Sequence, residues 1–226
     1  MTDKTTYLIS AGAEPAERGD RDSIGGWPVL DAGQDWPMCG CGSALALYFQ
    51  VGIPGSVPHF GGDQLLVFCC PAEGDCAPMP GTPLPERYWD TLPANEPHGW
   101  RILLQRTGIA HQAADPYFTP RRLTLTAATD YDDEPGFEGP LQGFKIGGAP
   151  SWVQDAEEHR CACGAEMVFL CQVSEDFPFR KFADPGLDPS IRRDAIDEGL
   201  FLGNQVYLLA CPDRCDPAAL WPVCQN

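Results

Sequence analysis

Two segments of the chain alternate apolar and polar residues, which is the pattern of a β-strand with one buried face. They span residues 45–51 and 167–173, with Leu, Met, Phe, Cys or Val at every second position. Each is followed by a continuous apolar run, at residues 65–68 and 206–209. Because continuous runs suit central strands covered on both faces, each pair of segments predicts two neighbouring strands.

Weaker patterns lie between and after these strand pairs. Residues 102–104 and 123–126 are short apolar segments that predict further strands. A helix is predicted over residues 191–198, because Asp-Pro-Ser at residues 188–190 can cap its first turn. The acidic run at residues 130–135 predicts a solvated connector.

The chain also contains an internal repeat. The sequence Ile-Gly-Gly-Trp-Pro at residues 24–28 returns as Ile-Gly-Gly-Ala-Pro at residues 146–150, which is 122 positions later. The same spacing carries a Cys-x-Cys-Gly element and a Gln-Val pair onto their counterparts. We therefore predict a first repeat lobe with a cysteine cluster at residues 20–79, connecting strands and an acidic loop at residues 80–142, and a second repeat lobe with a cysteine cluster at residues 143–226.

Composition narrows the class of protein. The 226 residues are 43% hydrophobic, which is enough for a buried core, and no apolar stretch approaches the ~20 residues of a membrane span. The formal net charge of −17 argues against direct nucleic-acid binding, because phosphate contacts need clustered Lys and Arg. The first residues lack the apolar core of a secretory signal, so we expect a cytoplasmic protein, where thiols stay reduced or bind metal.

The 11 cysteines show a regular arrangement. Each repeat has one pair before its predicted strand hairpin and one pair after it, and a hairpin returns the chain to its starting end. Four thiolates brought together in this way form a closed tetrahedral zinc site, so we predict two structural zinc ions per chain. The predicted ligands are Cys39, Cys41, Cys70 and Cys76 in the first repeat and Cys161, Cys163, Cys211 and Cys215 in the second.

One feature of the spacing leaves alternatives open. The first pair in each repeat leaves a single residue between its cysteines, whereas zinc pairs usually leave two to four. Disulfides, free thiols and iron–sulfur ligation are the other interpretations. Cys69 and Cys171 align with apolar residues and are predicted to be core side chains. Cys224 is a tail thiol or a substitute ligand, and His159 is more simply a surface histidine than a ligand.

Nothing in the sequence selects a catalytic site. The four histidines form no recognisable arrangement with a cysteine, and no common catalytic or nucleotide-binding motif is present. An all-cysteine zinc site also lacks the open coordination position that a catalytic zinc needs. We therefore predict that the protein is not an enzyme and has no catalytic residues.

Several of these motifs occur together in known families. The segments at residues 23–28, 35–37 and 47–51 resemble the bacterial YwqG-like family, and residues 147–154 resemble its Gly-x-Pro-x-Trp-Ile-Gln element. The order of Cys-Gly, apolar strand, Gln-Val and Phe-x-Cys-Pro is also similar to eukaryotic programmed cell death protein 2 and its relatives.

This resemblance implies a duplicated α+β fold with two similar β-rich halves and few short helices. It also implies cysteine-bound zinc and, in the eukaryotic branch, a chaperone that escorts a ribosomal protein. We therefore predict a non-catalytic, zinc-stabilised, chaperone-like or adaptor protein whose acidic surface attracts a basic protein client. The alternatives are an immunity or antitoxin-type protein that binds a toxin, and a zinc-dependent hydrolase.

Overall fold

The computed structural model describes residues 4–71, 99–106, 108–111, 116–132, 139–181 and 197–226. Regular structure in these residues is almost entirely β, and their single helical element is the 3-10 turn Leu200–Gly203. The predicted α+β class is therefore wrong, and the fold is nearly all β. Among the same residues, no helix has the length and apolar character needed to cross a bilayer.

Fourteen strands make up the described structure. In chain order they are β1 (Lys4–Pro15), β2 (Ser23–Ile24), β3 (Val29–Leu30), β4 (Ala46–Gly52), β5 (Gln64–Cys69), β6 (Trp100–Gln105), β7 (Ile109–Ala110), β8 (Arg121–Asp130), β9 (Lys145–Gly147), β10 (Val168–Val173), β11 (Phe179–Arg180), β12 (Asp197–Glu198), β13 (Gln205–Ala210) and β14 (Leu220–Gln225). Strands β3 and β7 form one small sheet, and β11 and β12 form another.

The other ten strands form one sheet in the order β14-β13-β10-β9-β1-β8-β2-β4-β5-β6. This order is symmetric about its middle, because each strand on one side of the β1–β8 pair has a counterpart at the same place on the other side. Strand β1 hydrogen-bonds β9, and β8 hydrogen-bonds β2. Each half of the chain therefore places its first strand beside the other half, so both predicted lobes and the connecting segment contribute to one sheet.

The two ends of the sheet, β6 and β14, approach each other. The Leu104 N–H donates to the Pro217 carbonyl over 2.7 Å, and the Trp100 and Trp221 rings meet edge to face at 5.9 Å. The sheet is therefore nearly closed. The apolar runs in β5 and β13 are buried along their whole length, which confirms that both are central strands covered on two faces.

The half-buried pattern predicted for β4 is wrong, although the strand itself is present. Every residue from Ala46 to Val51 is buried, and a bulge between Leu47 and Phe49 breaks the alternation. Leu30 of β3 and Leu45, directly before β4, pack with Leu47 in a separate small core that covers the second face of the strand. The equivalent strand β10 has a bulge at the matching place.

The end of the predicted helix is extended. Residues 191–196 lie outside the described residues, while Asp197 and Glu198 form β12 and pair with β11. The Glu198 carboxylate accepts a hydrogen bond of 2.9 Å from the hydroxyl of Tyr48 and lies 2.6 Å from the Lys181 amine. These contacts hold the segment against the sheet.

Two buried glutamines hold the loops that lead to the cysteines. The side-chain oxygen of Gln50 accepts the Val29 N–H at 2.9 Å, and that of Gln172 accepts the Ser151 N–H at 3.1 Å. Val29 and Ser151 are equivalent positions of the repeat, directly after the Gly-Gly-x-Pro turn. The repeated Gln-Val pair is therefore a structural element that ties this loop to the sheet in both halves.

The acidic run does not begin in solvent as predicted. Asp130 is fully buried, and its carboxylate lies 2.6 Å from the amine of Lys145, which is equally buried. It also accepts the N–H groups of Leu141 and Ala149. Burial alone would raise the pKa of Asp130, but these donors outweigh it and lower the pKa. Gly148 has φ +77° here, and a Cβ at this position would overlap the Asp130 carboxylate.

Replacing Lys145 with Met should lower the free energy of unfolding by about 3–5 kcal/mol, because the substitution leaves the charge of Asp130 buried without its partner. Urea unfolding measures the change. The control is Arg180→Met, which breaks the Arg180–Asp197 pair, whose side chains are 59% and 38% exposed. This control should have a much smaller effect. Equal effects would contradict a role for the buried pair in stability.

Candidate metal centre

Four cysteines of the second repeat form a compact cluster. The sulfur atoms of Cys161, Cys163, Cys211 and Cys215 all lie within 4.8 Å of one another. The Cys161 and Cys215 sulfurs are 3.4 Å apart, and the Cys163 and Cys211 sulfurs are 3.6 Å apart. A disulfide would need about 2.05 Å. Four sulfurs placed tetrahedrally at ~2.3 Å around zinc would be separated by about 3.8 Å. The cluster could therefore hold a metal ion.

A tight turn explains how cysteines separated by one residue contribute to the same site. The Cys161 N–H donates to the Ala165 carbonyl at 2.9 Å, and the Gly164 N–H donates to the Cys161 carbonyl at 2.8 Å. Gly164 has φ +95°, a conformation that glycine adopts without steric cost. In the first repeat Cys39 and Gly42 make the matching bonds at 2.8 and 2.9 Å. The unusual spacing is thus a property of this turn in both halves.

The other two cysteines of the cluster come from the end of β13. Cys211 follows the strand directly, and its N–H donates to the Ala219 carbonyl at 3.0 Å. The Arg214 N–H donates to the Cys211 carbonyl at 3.1 Å, and this turn carries the chain to Cys215. Since β10 and β13 are antiparallel neighbours, the end of β13 lies beside the turn that precedes β10. The sequence-based expectation that a hairpin joins the two cysteine pairs is met here.

The first repeat shows the same arrangement as far as the structure describes it. The sulfurs of Cys39, Cys41 and Cys70 form a group of three, with Cys41 and Cys70 separated by 3.8 Å. Cys70 occupies the position directly after β5 that Cys211 occupies after β13. The fourth predicted ligand, Cys76, lies outside the described residues. This second group could also hold a metal ion.

The four thiols of the complete cluster differ in their surroundings. Burial raises the pKa of Cys161 to about 11, and burial also raises the pKa of Cys215. The backbone N–H of Ala165 donates to the Cys163 sulfur and lowers the pKa of that exposed thiol. Only thiolates bind metal. A metal ion must therefore displace the protons of the thiols whose pKa is raised.

An ion pair joins the cysteine-bearing loop of the second repeat to the first repeat. Arg214 lies between Cys211 and Cys215, and its Nε is 3.1 Å from a carboxylate oxygen of Asp63. The other oxygen of Asp63 is 3.0 Å from the Nε of Arg106. Asp63 is buried directly before β5, next to a cavity of about 290 Å³ at the closure of the sheet. No sequence pattern indicates this contact, because its three residues are far apart along the chain.

The remaining candidate residues lie elsewhere. Cys69 and Cys171 are completely buried, which confirms that they are core side chains. Among the described residues, neither Cys224 nor His159 belongs to a cysteine cluster. Cys224 is half-buried in β14, and the His159 ring lies 3.1 Å from the carboxylate of Glu157.

Comparison with known proteins adds no family assignment. No protein-family model matches this chain, and a search of curated proteins finds no match. The likeness to the YwqG-like family and to programmed cell death protein 2 therefore stays a prediction that depends on the motifs alone.

Metal affinity should increase as pH rises, because burial raises the pKa of Cys161 and its proton must leave when metal binds. We expect about a tenfold gain per pH unit for each proton released. Competition with a chromophoric chelator, using Co²⁺ between about pH 6 and pH 8, measures this dependence after correction for protonation of the chelator. An affinity that does not change with pH would contradict thiolate coordination.

Proposed function

We propose that each cysteine cluster binds a structural zinc ion in a non-catalytic protein-binding protein. The observation that carries the proposal is the close approach of four sulfurs, from Cys161, Cys163, Cys211 and Cys215, within 4.8 Å of one another. Soft thiolates favour zinc, Cu(I) or iron–sulfur clusters over hard cations. A single four-sulfur group around one point suits one tetrahedral ion, and zinc is the common ion in closed Cys₄ sites.

The proposed metal has a clear structural task in each half. It joins the turn before one strand to the segment after the neighbouring strand, at the open end of the β10–β13 hairpin and, in the first repeat, of the β4–β5 hairpin. The backbone hydrogen bonds at these ends lie within each turn, so a bound ion would add a cross-link between the two turns. Metal binding energy at such a site contributes directly to folding.

The all-cysteine donor set also supports the absence of catalysis at this site. A catalytic zinc keeps one position for water or substrate, whereas four cysteines fill a tetrahedral ion. Neither His159 nor Cys224 joins the complete cluster to provide a different set of ligands. This donor set favours the binding protein over the zinc-dependent hydrolase.

The charge of the chain supports a basic protein as the client. The net charge of −17 would attract a cationic partner and raise its association rate in a salt-dependent way. A cytoplasmic location fits thiols that stay reduced and able to bind metal. The motifs shared with the chaperone-like relatives of programmed cell death protein 2 are consistent with the same role.

Native mass spectrometry of protein purified with zinc should show two zinc ions per chain. Replacing Cys41 with Ser should remove one ion and replacing Cys163 with Ser should remove the other, because each substitution takes one thiolate from a different site. Cys224→Ser is the matched control and should keep both ions. The assignment would be overturned if the chain bound no zinc. It would also be overturned if the chain held iron and sulfide in place of zinc.

A pull-down from cell lysate should enrich one or a few basic proteins at low salt and lose them as salt increases, because the attraction is electrostatic. An unrelated acidic protein of similar charge serves as the control bait. Capture of the same proteins by both baits, or of no basic protein by the chain, would count against a specific basic client.

A further inference from the structure

Exposed and buried sulfurs are paired in the complete cysteine cluster. Cys163 and Cys215 are exposed, while Cys161 and Cys211 are 4% and 1% exposed. Two sulfur–sulfur contacts each join one exposed thiol to one buried thiol, at 3.4 Å for Cys215–Cys161 and 3.6 Å for Cys163–Cys211. The arrangement therefore contains two pairs, each with a solvent-facing member and a protected member.

The first repeat follows the same rule. Exposed Cys41 has buried Cys70 as its neighbour at 3.8 Å. Cys41 is the positional equivalent of Cys163, and Cys70 is the equivalent of Cys211. One of the two exposed–buried pairs therefore has a counterpart among the described residues of the first repeat.

We propose that this cluster is a site of reversible oxidation by peroxide, in which Cys163 and Cys215 react first and their buried neighbours Cys211 and Cys161 then form disulfides with them. The proposal rests on the proposed zinc function and extends it, because oxidation would release the metal. The predicted disulfides are Cys163–Cys211 and Cys161–Cys215, and the corresponding bond in the first repeat is Cys41–Cys70.

The chemistry requires only a peroxide from solution. Zinc ligation would keep the exposed sulfurs as thiolates despite the raised pKa of free Cys215. An exposed thiolate attacks one peroxide oxygen, the O–O bond breaks, and the products are a sulfenic acid and hydroxide. The neighbouring thiolate then attacks the sulfenic sulfur, which forms the S–S bond and expels a second hydroxide. Two disulfides therefore consume two peroxides and give four hydroxides, which become water on taking up four protons. Disulfide sulfurs are not thiolate ligands, so the metal ion leaves.

The geometry favours these pairs over bonding within the turn. The sulfurs must move closer by roughly 1.5 Å to reach disulfide length, which is a small side-chain adjustment. Cys161 and Cys163 are joined by a single residue, and two hydrogen bonds fix the turn that contains them. A disulfide between them would have to distort this turn.

Release of the metal would also affect the contact between the two halves. Arg214, which lies between Cys211 and Cys215, is paired with buried Asp63 of the first repeat. Rearrangement of the loop would move Arg214 relative to Asp63 and to the cavity beside it. The oxidised protein is therefore expected to unfold at a lower temperature than the zinc-bound protein.

The test treats the zinc-loaded full chain with hydrogen peroxide, follows zinc with a metallochromic dye, and maps disulfides by mass spectrometry after alkylation and trypsin digestion. Trypsin should place Cys161 and Cys163 in the fragment 161–180 together with the fully buried Cys171, Cys211 in 194–214 and Cys215 in 215–226. We expect zinc release with both other fragments linked to 161–180. Fragmentation of the linked peptides should give the pairs Cys163–Cys211 and Cys161–Cys215.

Two variants separate the pairs in the metal-free chain. Cys163→Ser should abolish the link to fragment 194–214 and keep the link to 215–226, while Cys161→Ser should do the opposite. Cys224→Ser is the control, since Cys224 shares a fragment with Cys215 and should leave both links intact. Reversed links, a bond between Cys161 and Cys163, or sulfinic acid without disulfide would each overturn the proposal.

The outcome is distinguishable from failure of the proposed function. A chain that binds no zinc but forms the two predicted disulfides would contradict the zinc assignment and support the pairing. A chain that keeps its zinc in the presence of peroxide, with no disulfide formed, would support the structural site and contradict the oxidation step.

Discussion

The antiparallel pairing of β1 with β8 is the interaction on which the rest of the structure depends. It runs from Lys4 opposite Asp130 to Ala11 opposite Leu123, and it lies at the centre of the ten-stranded sheet. The other eight strands lie on either side of this pair, and the two sides have the same order of equivalent strands. The buried Asp130–Lys145 contact lies at one end of the pairing, where β8 meets the loop that leads to β9.

The cysteine sites are a result of hairpin geometry that is applied twice. In each half, a glutamine holds the loop after the Gly-Gly-x-Pro turn, and the loop then reaches a Cys-x-Cys-Gly turn beside the next strand. The end of the neighbouring strand supplies further sulfurs. Local turns and one strand pairing are therefore sufficient to bring together cysteines that are about 50 residues apart in sequence, such as Cys161 and Cys215.

The sequence could predict the parts of this structure that depend on local pattern. Alternating and continuous apolar segments predicted β4, β5, β10 and β13. The expectation that a hairpin brings its two ends together predicted the grouping of Cys161, Cys163, Cys211 and Cys215. The pairing of β1 with β8, β1 with β9 and β8 with β2 could not be found in this way, because it joins segments about 100 residues or more apart. The burial of Asp130 was missed for a different reason: its partner Lys145 and the backbone donors Leu141 and Ala149 lie only 11 to 19 residues away in sequence, but their approach to the carboxylate is set by tertiary structure.

The pairing of β1 with β9 and of β8 with β2 has a consequence for folding during synthesis. Strand β9 can meet its neighbour β1 as soon as it leaves the ribosome, because β1 has already been synthesised. Strand β2, in contrast, waits for β8, which is about 100 residues downstream. The amino-terminal half therefore remains incomplete during much of translation, with the edge of β2 unprotected. Such long-range pairing is characteristic of slow folding, and an unpaired strand edge is prone to association with other chains in the meantime.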